Sequence, residues 1–414
     1  TLSWATTGAD TLTLSGGVGA VTGTTSTSVT PATTTNYTLT ASNSAGSTTR
    51  TIKVGVGAPR PNIVMFLVDD MGWQDTSEPF HYGANGNPVI SAKNNLYITP
   101  NMETLADKGM KFTRAYAMPN CSPARISLMT GKNSARHHVT NFVHNSGKDT
   151  DLNSTPTHNS PATWHSTGLP QSEIILPQLL SDAGYRTLHV GKAHFGTTAY
   201  AREPLNIGFD YNIGGTHVGA PGSYTGTYGN GRVPHLEQYH NTGTFLTEAL
   251  TLEANKLIEQ SVNDDAPFFL YMSHYAVHAP FNKDTRFEAN YPGLSGLPLA
   301  FATLIEGMDK SLGDIMAKLE ALGVAEDTIV IFMSDNGGAS PTGTNANVPL
   351  RDKKGSRFEG GTRVPLIVAW AKTDGTNSFQ TNHPIAQDKV EHDIVTCTDI
   401  MPTILGIAGS KAPN

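Results

Sequence analysis

Apolar residues fall into two rhythms along this chain. From about residue 60 they form unbroken runs, "NIVMFLVDD" (62–70), "PFFLYMSH" (267–274), "TIVIFMSDN" (328–336) and "VPLIVAW" (364–370). Runs of this kind predict strands buried on both faces. Between them, apolar positions recur at helical spacing in "TPNMETLADKG" (99–109), "ILPQLLSDAG" (175–184), "FLTEALTLEANKLIEQ" (245–260) and "LIEGMDKSLGDIMAKLEALG" (304–323). Buried strands alternating with amphipathic helices predict an α/β fold, a mostly parallel central sheet with helices on both faces. The opening stretch has a different rhythm. "TLTLS" (11–15), "NYTLTAS" (36–42) and "TRTIKVGV" (49–56) alternate with period two, separated by the turn formers "GGVG" and "SNSAGS". Its only charges are Asp10, Arg50 and Lys53. This pattern predicts a small β-sandwich over 1–57, with Trp4 and Tyr37 available for its core, and no catalytic side chain in it. The change of composition at "GAPRP" (57–61) marks the start of a larger domain, 58–414.

Charge and composition narrow the function classes. The 414 residues carry a net charge of −7 and no basic run, which argues against a general nucleic-acid binder. No segment approaches the roughly 18 consecutive apolar residues of a membrane helix. Two cysteines, Cys121 and Cys397, do not make a disulfide framework, although they could pair with each other.

The polar residues that close the buried runs carry the chemistry. One strand ends in Asp69 and Asp70, another in Asp335 and Asn336, and a third leads into His274 and His278. Ligands of open α/β sheets bind beyond the carboxyl ends of the strands. Adjacent carboxylates buried together repel, and a hard cation relieves the repulsion. With oxygen donors throughout, Ca²⁺ or Mg²⁺ fits better than Zn²⁺. In "YAMPNCSPARISLMTGK" (116–132), Cys121 opens a predicted helix. The helix dipole there favours thiolate character and anion binding, and Arg125, one turn on, adds a cation.

"CSPAR" matches the C-x-P-x-R signature of the type I sulfatases of the alkaline phosphatase superfamily, and "SPARISLMTG" continues their pattern. The resemblance runs from about residue 60 to 408. It includes "PNIVMFLVDDMGWQD", "TPNMETLADKGMKFTRAYA", "YRTLHVGKAHFG", "HAPF", "IVIFMSDNGG", "LRDKKGSRFEGGTRVPLIV" and "TDIMPTILGIAG". It implies a sulfuric ester hydrolase in which Cys121 is converted by a maturation enzyme to formylglycine (3-oxoalanine), whose hydrated aldehyde is the nucleophile. Asp69, Asp70, Asp335 and Asn336 would hold calcium, with the modified Cys121 completing the site. Arg125 would hold the aldehyde hydrate and Lys192 would bind sulfate. His194 would orient the nucleophile and take its second hydroxyl proton. His278 would protonate the departing alcohol, and Lys354 would contact sulfate near the leaving oxygen. Lys192 and His194 lie two apart on a stretch expected to be extended, so both should face the same side. His274 is either a supporting contact or packing.

The first stretch resembles a bacterial immunoglobulin-like domain, whose strands often carry "LSW" and end "NSAGS". That likeness and the family imply a secreted, periplasmic or cell-surface bacterial protein, although no signal-peptide pattern opens the chain. Two segments lack the shared pattern, 134–168 and 213–240, both long and rich in Gly, Asn, Ser and His. They suit the mouth of a site. His137 is the first candidate for a substrate contact, with Arg136 and His217 beside it. Trp164, Tyr224 and Tyr228 are available to stack on a sugar. The implied substrate is a sulfated oligo- or polysaccharide. The resemblance also implies a smaller C-terminal subdomain beyond the "MPTILGIAG" helix, which is either missing from this sequence, leaving a pocket wall outside it, or absent. The alternatives are a phosphonate or phosphate ester hydrolase of the same superfamily, or an inactive glycan-binding protein.

Overall fold

The computed structural model describes residues 1–31, 35–54, 60–144, 146–147, 163–339, 341, 346–411 and 413. The chain forms two compact units, a smaller one built on Thr1–Pro59 and a larger one on Arg60–Ser181 and Arg186–Asn414.

In the smaller unit every pairing is antiparallel. Strands β1 (Leu2–Ser3) and β4 (Ser26–Thr27) pair with each other. Strands β2 (Thr11–Leu14), β3 (Gly19–Ala20), β5 (Thr35–Asn43) and β6 (Gly46–Val54) form a sheet in the order β3-β2-β5-β6. The period-two pattern has its expected consequence, since Leu12 and Leu14 point inward and join Leu2, Val21 and Tyr37 in a small core. Trp4 packs on that core only partly buried, and its indole N–H donates to the Thr24 carbonyl. The predicted boundary at 57 lies outside the described residues.

The larger unit is an eight-stranded sheet flanked by helices. Its strands are β7 (Asn62–Val68), β8 (Gly109–Tyr116), β9 (Arg186–Gly191), β10 (Tyr211–Ile213), β11 (Phe268–Ser273), β12 (Thr328–Ser334), β13 (Arg363–Trp370) and β14 (Lys389–Thr396). Their order is β10-β9-β11-β7-β12-β13-β8-β14, and all run the same way except β13. The central strands β7, β11 and β12 are buried at every position, which is why their sequences are continuous apolar runs. Strand β14 lies at an edge and buries none of its residues fully, so it carried no apolar signal.

The four expected helices form as Pro100–Lys108, Leu176–Asp182, Leu246–Asn263 and Gly296–Ala321. The last begins eight residues earlier than its periodicity implied. "LPLAFAT" (297–303) is apolar nearly all round, which hides the helical period, and Pro298 is tolerated in a first turn. Among the described residues, no helix is long and apolar enough to cross a membrane.

One helix caps another. Asp309 accepts from the backbone N–H groups of Asn101 and Met102 at 3.0 and 2.8 Å and from the Asn101 side chain at 2.8 Å. Thr99, the capping residue in sequence, makes no such side-chain bond. Asp309→Ala should therefore cost about 1–2 kcal/mol, the range of a lost cap. The check is the thermal midpoint of the purified variant, and an unchanged midpoint would contradict it.

Candidate active site

Four parallel strands deliver their polar ends to one place. Asp69 and Asp70 follow β7, Asp335 and Asn336 follow β12, Lys192 and His194 follow β9, and His278 lies in the loop after β11. Facing them is the helix Cys121–Thr130, buried at every residue. The Cys121 sulfur lies within 4.8 Å of an oxygen from each of Asp69 and Asp335. It lies equally close to ligand atoms of Asp70 and His278.

Arg125 ties these ends together. Its guanidinium contacts Asp335 through Nε at 2.9 Å and through the second terminal nitrogen at 2.8 Å. It also donates to the Lys192 carbonyl at 2.9 Å and to the Ser273 hydroxyl at 2.5 Å. Lys192 Nζ sits 2.7 Å from Asp69 Oδ2, and Lys354 Nζ sits 2.6 Å from Asp70 Oδ1. A cationic side chain thus abuts each carboxylate.

Two oxygens of the cluster are left over. Among the described residues, Asp69 Oδ1 and Asn336 Oδ1 are buried with no hydrogen-bond partner, a costly state for polar atoms. Asn336 donates through Nδ2 to Asp70 Oδ1 at 2.8 Å, which turns its own oxygen away from that bond. Burial pushes the Asp69 carboxyl up to about 8; Lys192 opposes this, while Asp335 and Asp70 add to it. Burial would also raise Asp70, but Lys354, His278 and Lys192 hold it below the usual carboxylate range. Unsatisfied oxygens beside a carboxyl that resists ionisation are what a hard divalent cation relieves, so Asp69, Asp70, Asp335 and Asn336 fit calcium or magnesium.

The thiol differs from its expectation. Burial pushes Cys121 up to about 11, although Lys192 and Lys354 pull it down. Its position at the helix start therefore does not make a thiolate. Neither cysteine is in a disulfide, and Cys397 is buried too.

His194 also departs from the extended geometry expected of "GKAHFG". Strand β9 ends at Gly191, and His194 has φ +54°, so alternation does not place it beside Lys192. Its Nε2 lies 2.9 Å from the Val143 carbonyl and so carries the proton, while Nδ1 is buried without a partner among the described residues. Burial, with Lys192 next, holds its pKa well below the usual value, leaving a neutral ring with a free lone pair. His278 Nδ1 donates to the Ala279 carbonyl at 2.6 Å, and Nε2 lies 3.7 Å from Asp70 Oδ2. Burial lowers its pKa to about 4; Asp70 opposes that, and Lys192 and Lys354 add to it.

The suggested substrate residues are dispersed. His137 is 1% exposed, its Nε2 bonded to the Ser127 hydroxyl at 3.0 Å and its Nδ1 accepting from Val139 N–H. It braces the back of the Cys121 helix and offers no ring surface to a ligand. Arg136 is exposed, and His217 is half-buried with Nδ1 bonded to Thr198. Trp164 is exposed, and residues 148–162 of its segment lie outside the described residues. Tyr224 and Tyr228 are buried in the core rather than presented to a sugar. His274 bonds Ser311 at 2.9 Å and packs on Phe66, so it is a packing residue. Two contributors were not anticipated. Ser273 closes an apolar run and could have been noticed as a polar strand end; the Val143 carbonyl that fixes His194 is backbone and has no sequence signal.

Fold and site together define an α/β protein with a cluster of buried charged side chains around Cys121 at the carboxyl ends of its parallel strands. Residues 61–410 match the Sulfatase family model, and the chain belongs to the sulfatase family. It is 32% identical over 386 residues to the N-acetylgalactosamine-6-sulfatase of Mus musculus, covering 87% of this chain and 65% of that protein. It is 30% identical over 410 residues to a sulfatase of Formosa agariphila, covering 86% of this chain and 69% of that one. Among solved structures it resembles Ps i-CgsB in complex with k-i-k-neocarrahexaose, with TM-score 0.66, 28% identity and coverage of 86% and 73% of the two chains. The chain thus spans about two-thirds of the length of the mouse relative.

Proposed function

We propose that this chain hydrolyses sulfate esters of a carbohydrate, using Cys121 matured to formylglycine and a bound calcium ion. The observation that carries the reading is the cluster of Asp69, Asp70, Asp335 and His278 around Cys121, with Lys192, Lys354 and Arg125 paired to those carboxylates. Asp69, Asp70, Asp335 and Asn336 would hold the ion, which supplies positive charge for an anionic ester. The hydrated aldehyde supplies two hydroxyls where cysteine has one thiol.

The protein's own residues do the rest. Lys192 and Lys354 bind and polarise the sulfate, with gains that grow as charge moves toward the leaving oxygen. Arg125 fixes the strand ends against the Cys121 helix. His194 Nδ1 accepts a proton, since its other nitrogen is committed to Val143. His278 Nε2 donates to the departing sugar oxygen, and the negative charge of a bound sulfate raises its pKa toward that task. Every residue of the helix Cys121–Thr130 is buried, so the maturation enzyme would act before the chain folds.

A carbohydrate is supported by the relatives' names and by the loop around Lys354, where exposed Arg351, Lys353 and Arg357 would face a polyanion. Arg351 lies over the Phe358 ring at 3.5 Å, which orders its guanidinium. The smaller unit is read as an immunoglobulin-like spacer, and the protein as a bacterial one working at the cell surface, in the periplasm or secreted.

The test has two parts. The mass of the peptide "AYAMPNCSPAR" (115–125) should show the thiol replaced by an aldehyde in matured protein. That protein should release sulfate from a panel of sulfated glycans, including galactosamine 6-sulfates and carrageenan oligosaccharides, faster than it cleaves matched phosphonate esters. A faster phosphonate reaction would favour the related ester hydrolases. An unmodified cysteine with glycan binding and no turnover would favour the binding-protein alternative.

A further inference from the structure

The segment that follows β10 reaches both histidines of the pocket. The His194 backbone N–H donates to the Thr216 carbonyl at 3.0 Å. Gly219 lies against its ring so closely that a Cβ there would come within 2.7 Å of Cε1 and 3.1 Å of Nε2. Five residues on, the Tyr224 hydroxyl lies 2.6 Å from the Tyr275 carbonyl and 2.8 Å from the His278 carbonyl, its proton shared between them. The His278 N–H donates to that same Tyr275 carbonyl at 3.0 Å, so the hydroxyl closes the turn that presents the imidazole. Tyr224 is itself fixed, buried fully, stacked on Phe245 at 5.6 Å, with its N–H donating to Asn282 Oδ1 at 2.9 Å. The Tyr275 hydroxyl returns a bond to the Gly214 carbonyl at 2.9 Å. By contrast, among the described residues the His278 ring has the neighbouring Ala279 carbonyl and a 3.7 Å approach to Asp70 as its polar contacts. Its position depends on its backbone.

We propose that Tyr224 is a positioning residue for His278, and that Thr216–Tyr224 is a brace holding the two proton-transfer histidines in register. This rests on the sulfatase reading above. A displacement of about 1 Å at a reacting group costs on the order of 100-fold in rate, so a hydroxyl that touches no substrate can still govern turnover.

Tyr224→Phe tests it, because the ring stack on Phe245 survives and only the hydroxyl is lost. Matured enzyme would be assayed on a sugar sulfate, whose alkoxide needs a proton as it leaves, and on 4-nitrophenyl sulfate, whose phenolate does not. The expected result is a kcat on the sugar sulfate lower by about tenfold or more, with KM within about twofold, and a loss below about threefold on the aryl ester. In a His278→Gln background, Tyr224→Phe should slow the sugar reaction no further. Tyr228→Phe, which loses only a bond to the Thr244 carbonyl at 2.8 Å and a 3.5 Å contact to that of Tyr239, should leave the ratio of the two rates unchanged. Should Tyr224→Phe fold poorly, Tyr275→Phe should give the same selective loss in weaker form. Equal losses on both esters, or additive losses in the double variant, would overturn the proposal. Parent enzyme inactive on both esters would overturn the sulfatase reading and this inference with it.

Discussion

Replacing Cys121 with alanine should lower kcat/KM for sulfate release by at least about 10⁴-fold, the scale of losing an enzyme's nucleophile. The variant should fold, because the side chain is small and the helix around it is held by Arg125 and by the His137–Ser127 bond. Protein that keeps an unmodified cysteine should be nearly as slow. Its thiol is buried and pushed up to about 11, so little thiolate exists at neutral pH. Cys121→Ser should fall in the same range, since one hydroxyl cannot serve both as attacking group and as the group that expels sulfate. Measuring all three beside matured enzyme isolates the contribution of the aldehyde hydrate. Substantial turnover by unmodified cysteine would remove formylglycine from the mechanism.

The parts of this site that were legible in sequence are those the sheet itself dictates. Buried parallel strands must be apolar, so the first polar residues after them stand out, and Asp69, Asp70, Asp335 and Asn336 were visible on that ground alone. His278 stood out in the same way, and Cys121 and Arg125 at a helix start, whereas Lys192, His194 and Lys354 were placed by resemblance, because nothing in the spacing of Lys192 or Lys354 says which carboxylate each meets. Three features stayed hidden for physical reasons. His194 sits in a left-handed turn, where strand alternation carries no information. His137 is polar and follows the Cys121 helix, so it read as a ligand contact, yet both its ring nitrogens are used internally. Segment 213–240 looked loop-like because Gly, Asn and Ser dominate it, while its buried tyrosines are spaced by no repeating period. The edge strands β10 and β14 were missed likewise, since brevity or exposure erases the apolar run, while β8 alternates in burial and β9, though buried, carries Arg186, Thr187 and His189 within it.

Arg125 gives the second large effect, through its partner. Asp335 and Arg125 are both fully buried, with contacts of 2.9 and 2.8 Å. Breaking such a pair from one side leaves an uncompensated buried charge and costs about 3–5 kcal/mol. Asp335→Ala should therefore lower the thermal midpoint sharply, and it also removes one proposed oxygen donor for the cation. In the parent protein calcium should raise the midpoint, because a ligand that binds only the folded state stabilises it, by about 2.7 kcal/mol at 100 times its Kd. In Asp335→Ala that rise should vanish. Asp335→Asn separates the two effects. It keeps an oxygen beside the guanidinium and should recover part of the stability, but with one negative charge fewer it should bind calcium more weakly. The shift upon adding calcium, or upon removing it with a chelator, is readable without any substrate. A full calcium shift in Asp335→Ala would place the ion elsewhere, and an unchanged midpoint in metal-free protein would mean that Arg125 finds another partner.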